Sequence, residues 1–471
     1  MKKTVNFFTI LSLCIFVFFA CHPAEHTHVF DKENTAPEYI KSAATSTEGA
    51  VYYYSCACGA IGEQTFTLPI EATLLFEMTE SGTYAVSGYT GELLHANIPP
   101  TYLGVAVTDI GEAAFSGCTS LSSVTIPPSV VRIGQNAFAD CTGLTAVYVE
   151  DLAAWCNVTF KNYLSQPLHY AGDLYLNGEL VEDLVIPGSI TTIKQNAFYA
   201  CRSMKSLVLS DGVKLIENSA FSSCGNLASV TVPESITQIL YFVFENCSKL
   251  EAVYVDDLRS WCGFKFYSST SNPLYYGGEL YVNGEAVKDL VIPDGVTKIG
   301  ENAFYRCQGI TSVTIPASVT SIGEGAFFFC DNLTAVYVDD LAAWCKIAFA
   351  DSSSTPLWDA EKLYVNGSLV EHLVIPDGVT SIGPYAFYSL KSLASVTIPA
   401  TVTSIGVYAF YNAYSLATVH YAGTCAQWEA IEKTYSWDSY MGAYEGSYKV
   451  ICSDGTLVKE GTKVYRQLIT E

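Results

Sequence analysis

Basic side chains are scarce in this 471-residue sequence: 24 Lys and Arg stand against 47 Asp and Glu, a formal charge of −23. Such an excess of carboxylate repels phosphate backbones, which argues against nucleic acid as a partner and leaves a solvated acidic surface as the plain reading. Histidine is also sparse, with seven residues. Those at His95, His169, His372 and His420 stand apart from one another. No Gly-x-Ser-x-Gly elbow, His-Glu-x-x-His pair or phosphate loop occurs. Catalysis needs a unique constellation, and here the polar residues recur in repeats, so the chain reads as a non-enzyme without a cofactor. Beyond the first twenty residues no apolar run suggests a membrane span. Half of the residues are hydrophobic and 13% aromatic, which excludes a disordered chain.

What is present begins with a processing segment. Lys2 and Lys3 precede an apolar run over 5–20, too short for a membrane helix. Phe18-Phe19-Ala20-Cys21 then resembles the cleavage box of bacterial lipoproteins, with Phe18 in place of the usual aliphatic residue. That resemblance implies a lipidated Cys21 as the only membrane attachment. Simple secretion is the alternative. Either places the mature chain outside the cytoplasm, at the cell surface or on the outer membrane.

Twelve three-residue strands recur, with middle residues Thr125, Tyr148, Val185, Val208, Thr231, Tyr254, Val291, Thr314, Tyr337, Val374, Thr397 and His420. Successive steps are 23 or 37 residues. A fixed period of this size means stacked coils. Pro127, Pro187, Pro233, Pro293, Pro316, Pro376 and Pro399 each follow a strand centre by two residues; lacking an N–H, Pro ends the strand. Phe138, Cys141 and Leu144, spaced by threes, face inward from a short helical turn, and the spacing recurs. The sixteen cysteines would ordinarily suggest disulfides in an exported protein. Seven of them occupy this one repeated position, so they read as buried thiols used as small hydrophobes.

The 37-residue steps carry an elaborated coil. Asp151, Asp257 and Asp340 each precede a segment ending in Trp-Cys and are placed to cap a short helix that buries Trp155, Trp261 or Trp344. Apolar residues before Asn-Gly at 177–178, 283–284 and 366–367 predict a tight hairpin.

The run Ile315-Pro316-Ala317-Ser318-Val319-Thr320-Ser321-Ile322-Gly323-Glu324-Gly325-Ala326-Phe327, with Cys330 and Leu333, resembles the BspA-type leucine-rich repeat. The likeness covers roughly residues 84 to 460. It implies an α/β solenoid: a right-handed leucine-rich-repeat superhelix with a parallel β-ladder, here of about twelve coils. The segments are a leader at 1–21, a small β-rich His/Cys module at 22–71, the solenoid at 72–417 and a capping region at 418–471. The resemblance also implies adhesion to host matrix or cell proteins, or to other microbes. Glycan binding by a surface lipoprotein and a purely structural coat are the alternatives.

Two sets of residues are candidates for a site. His26, His28, Cys56 and Cys58 could complete a tetrahedral zinc shell, although both pairs are spaced more tightly than is usual; without metal they are polar positions in a small β module. The second candidate is the outward row of strand centres, Thr125, Tyr148, Thr231, Tyr254, Thr314, Tyr337, Thr397 and His420, offered to a protein or glycan ligand on cell surfaces. Ordinary packing along a sheet would produce the same row.

Overall fold

The computed structural model describes residues 29–34, 36–42, 51–57, 59–67, 72–442, 447–460 and 463–467. The chain divides into two compact units, Met1–Glu71 and Ala72–Glu471. In the first, Ile40–Ser42, Val51–Ser55 and Ile61–Thr67 form an antiparallel sheet. Phe66 stacks on Tyr52 across the strand pair, and buried Tyr39 donates its hydroxyl proton to the Gly59 carbonyl at 3.0 Å. Cys56 is buried in this unit. Cys21, His26, His28 and Cys58 lie outside the described residues.

The second unit is the solenoid. A simple coil contributes a strand of three to five residues to a principal parallel ladder and, past a stop that is usually Pro, a two-residue strand to a second one. In Ser123–Ile126 the flanking Val124 and Ile126 are buried while Thr125 is half-exposed. This is the period-two alternation of a strand with one face on the core. The helical turn that follows closes by i→i+3 bonds, Cys141 N–H to Phe138 carbonyl and Leu144 N–H to Cys141 carbonyl. Its three apolar side chains are thereby held inward. Stacked Phe rings run down the core as Phe115–Phe138, Phe198–Phe221–Phe244, Phe304–Phe327 and Phe387–Phe410, with centroids 5.2 to 5.8 Å apart. Each pair adds about 0.5–1.5 kcal/mol beyond the area it buries.

The cysteine column has a chemical as well as a steric role. The thiols of Cys141, Cys224, Cys247 and Cys330 donate to the carbonyls of Phe115, Phe198, Phe221 and Phe304 on the preceding coil, at 3.1 to 3.2 Å. These buried thiols tie coil to coil without a disulfide.

The coil number differs from the expected twelve. Among the described residues the principal ladder has seventeen strands, the additional five being His95–Asn97, Asp173–Leu176, Glu279–Val282, Leu363–Val365 and Tyr448–Cys452. Nor is it one sheet. It falls into four, each of the first three ending in an Asn-Gly hairpin whose return strand pairs antiparallel. A 37-residue step is therefore a 27-residue coil, from Tyr254 to Tyr281, followed by a ten-residue return to Val291. Asn283 and Gly284 have φ of 52° and 82°, the double left-handed geometry of a primed hairpin turn. At the N-terminal end Thr73–Met78 and Tyr84–Thr90 form a hairpin that joins Val105–Ile110. At the C-terminal end Tyr448–Cys452 continues the ladder, and Gly455–Glu460 and Lys463–Gln467 close it with antiparallel strands.

Candidate interaction faces

The block boundaries are built from the Asp-capped helices. Asp151 accepts the Ala153 and Ala154 N–H groups at 2.8 and 3.0 Å, Asp257 accepts those of Arg259 and Ser260, and Asp340 that of Ala343. Each cap satisfies donors that a helix start leaves open. The helices drive Trp155, Trp261 and Trp344 into the core against Phe160, Phe266 and Phe349. The helix ends then stand in for a strand. The N–H groups of Lys194, Gly300 and Gly383 bond the carbonyls of Cys156, Cys262 and Cys345, where a simple coil would use the carbonyl of an Ile. The second ladder is stitched across the boundary in this way, although its strands end there.

Indole bonding differs among the three boundaries. Trp344 Nε1 donates to Ala386 O at 2.8 Å and Trp261 Nε1 to Ala303 O at 2.9 Å. Trp155 Nε1 is buried without a partner. The amide of Gln166 takes the Ala197 carbonyl at 2.9 Å, as Asn272 takes part of the Ala303 one.

On the principal ladder the block ends carry paired tyrosines. Tyr148 stacks on Tyr175, Tyr254 on Tyr281 and Tyr337 on Tyr364, with centroids 4.7 to 4.8 Å apart. Each outer ring lies across from a hairpin residue, Leu180, Ala286 or Leu369. Each inner ring lies beside Thr125, Thr231 or Thr314 on the neighbouring strand. The Thr and Tyr members of the row are half-exposed and His420 is exposed. Its spacing is not the expected one. Tyr254 and Tyr337 are four ladder steps apart, not three, because Tyr281 lies between them. Sheets two to four open on an exposed valine: Val185 at 54%, Val291 at 59% and Val374 at 62%. The second and third sheets therefore run from aliphatic through Thr to a tyrosine pair, the first opens on Asn97 instead, and the fourth ends on His420 and Ile451.

The short helices and turns of the coils carry a second repeated pair that the sequence pattern did not reveal. His169 stacks on Tyr199, Tyr275 on Tyr305 and Trp358 on Tyr388, with centroids 5.2 to 5.8 Å apart. The signal was available, since each pair is thirty residues apart and the first member follows a Pro-Leu, at 167–168, 273–274 and 356–357.

A family model for the BspA type leucine rich repeat region, in six copies, matches residues 84–165, 173–279, 276–357 and 360–431. The chain belongs to the BspA-type leucine-rich-repeat family. No curated protein matches the sequence. Among solved structures, this BspA-type chain is similar to a leucine-rich repeat protein from Bacteroides ovatus, at 22% identity over 82% of this chain and 100% of that one, TM-score 0.45. It is also similar to a leucine rich cell surface protein from Faecalibacterium prausnitzii, at 23% identity over 78% and 98%, TM-score 0.34. A third is the pneumococcal vaccine antigen PcpA, at 16% identity over 82% and 93%, TM-score 0.35.

Burial pushes the thiols of Cys141, Cys156, Cys262, Cys307 and Cys345 up to about 12. At neutral pH they are neither nucleophiles nor ready metal ligands. The space enclosed by Pro127, Val149 and Trp155 measures about 10 Å³, room for one water at most. Among the described residues no helix is long and apolar enough to cross a membrane.

Proposed function

We propose that this chain is a bacterial cell-surface binding protein, adhesin-like, that attaches to host matrix or cell proteins or to other microbes by its principal-ladder face. The observation that carries the reading is the tyrosine pair placed in the same register at three block ends. Half-exposed Tyr supplies large, amphipathic contact area at low entropic cost, the pattern of interface anchors. Three copies on one scaffold would add by avidity, so modest contacts suffice. Family membership supports an exported role, and a lipid on Cys21 would hold the chain at the membrane. The activity is binding, not catalysis.

Glycan capture is the second reading. It is favoured by the inner Tyr rings, each of which stands beside a smaller Thr and can offer a flank to a sugar. The test is a panel of immobilised matrix proteins and a glycan array, both read with the full chain. Tyr148→Ala, Tyr254→Ala and Tyr337→Ala should lower protein binding stepwise as they are combined. Unchanged binding by the triple variant would sink the ladder face. Oligosaccharide binding lost with one Tyr would replace the adhesin reading with the glycan one.

A further inference from the structure

The turn side of the C-terminal coils holds an aromatic patch that neither the core nor the ladder face uses. Phe328 and Phe329 lie 4.0 Å apart, Phe328 meets Trp358 edge-on at 5.9 Å, and Trp358 stacks on Tyr388. Phe329 is 42% exposed and Trp358 36%. The other five tryptophans are all buried.

Phe329 is held against its own preference. Its φ is 59°, the left-handed region that costs an ordinary L-residue about 1–2 kcal/mol. At the same place before the Cys column other coils use Gly117, Asp140, Ala200, Ser223, Asn246 or Arg306. Among these residues Phe329 alone places a large apolar ring at this position, and the ring stays exposed instead of joining the core.

Carboxylates border the rings. Asp359, next to Trp358, accepts the Cys330 N–H at 2.9 Å. Asp331 and Glu361 lie close enough to act on it electrostatically. Glu361 is held by Lys391, and the Asp331 carboxylate accepts from neutral Gln308 at 3.3 Å. On the same side Arg306 already lies over the Tyr275 ring, at 5.6 Å from its centroid. Aromatic faces beside incompletely balanced carboxylates favour an approaching cation over an anion or a neutral group. The net charge of −23 extends that preference to long range.

We propose that the patch formed by Phe328, Phe329 and Trp358, bordered by Asp331, Asp359 and Glu361, docks a Lys- or Arg-bearing segment of a partner protein. This surface is separate from the ladder face and stands or falls independently of it.

The full chain is titrated with an oligoarginine peptide, an oligoglutamate peptide of equal length and a neutral oligosaccharide. Emission from Trp358, the exposed tryptophan, reports binding, and the immobilised peptide gives affinities for the variants. Oligoarginine alone should bind, with affinity falling as salt rises through the range in which the Debye length shrinks below about 10 Å. Phe329→Asn should weaken it about fivefold, the loss of one cation–π contact of roughly 1 kcal/mol. Because Asn tolerates a left-handed backbone, its thermal midpoint should stay level or rise. Trp358→Ala should weaken binding likewise. Wild-type affinity in both variants overturns the proposal. So does a response to the oligosaccharide rather than to oligoarginine, a loss of peptide binding in the Tyr148, Tyr254 and Tyr337 variants of the ladder face, or no peptide binding at all.

Discussion

A simple coil such as residues 206–228 closes with Phe221, Cys224 and Leu227, whereas the boundary coil at 252–278 closes with Trp261 and a carbonyl lent by Cys262. The simple coil hands its neighbour an identical surface, so rings stack, thiols meet carbonyls and strands pair. The boundary coil is longer by a helix and a hairpin, and its principal sheet stops. What it loses in strand pairing it recovers through an indole N–H, a side-chain amide and a helix-end carbonyl. Uniform coils propagate the core; boundary coils place aromatic pairs on both outer sides. In a stacked-coil protein stability is nearly a sum of such neighbour terms, so the two kinds of coil can be tested separately.

The largest expected effect lies in the uniform coils. Phe221 is stacked on Phe198 and Phe244 at once, with centroids 5.3 and 5.8 Å away. Phe221→Ala should cost about 3–5 kcal/mol, through lost transfer energy and a cavity that rigid neighbours cannot fill. Phe138 ends its run, with Phe115 as its column partner. Phe138→Ala should cost less by roughly the worth of one ring pair, about 0.5–1.5 kcal/mol. Urea midpoints measure both, and amide exchange on Ser206–Leu209 and Ser229–Val232 shows whether opening stays local. Equal costs would mean that the column is not the unit of cohesion.

A smaller effect separates the boundaries from one another. Trp344→Phe removes the bond to Ala386 O and leaves that carbonyl buried, a loss of about 1–3 kcal/mol beyond the change in volume. Trp155→Phe removes the same atoms but no hydrogen bond, since Trp155 Nε1 has no partner to lose. The first substitution should lower the urea midpoint clearly more than the second.

The same contrast explains what could be read from the sequence. The uniform coils were legible because one period fixes both strand and core: Val124 and Ile126 in, Thr125 out, Pro127 to stop. The caps at Asp151, Asp257 and Asp340 and the Asn-Gly turns were legible because their chemistry is local. The sequence marks Leu280-Tyr281-Val282 only as the arm of a hairpin, because its distance from Tyr254 is 27 rather than 23. Each Tyr accordingly reads as single in the sequence when it is half of a pair. The Trp358–Tyr388 contact joins different parts of two coils, and no pattern of hydrophobicity along one strand or helix encodes it.

The smallest effect is a pH dependence confined to one boundary. Tyr170, Tyr276 and Asp359 occupy the same place in three copies and each accepts a backbone N–H from the preceding coil, given by Asp140, Asn246 and Cys330. Two are phenols and one is a carboxyl. Burial pushes Asp359 up to about 6; the Cys330 N–H pulls it down, and Asp331 and Glu361 add to the rise. A carboxyl whose pKa is higher folded than unfolded binds its proton more tightly in the native state, so its contribution to stability declines as pH climbs from about 4 to about 6 and stays low above that. Asp359→Asn keeps an oxygen acceptor and removes the titration. Its stability relative to the wild type should be close at pH 4.5 and higher at pH 7.5, read as urea midpoints at the two values. Tyr276→Phe at the matching place should show no difference between those pH values, because a phenol does not ionise in that window. If the Asp359→Asn advantage were the same at both, the site would be solvated like the rest of the acidic surface, and the third boundary would differ from the other two in shape alone.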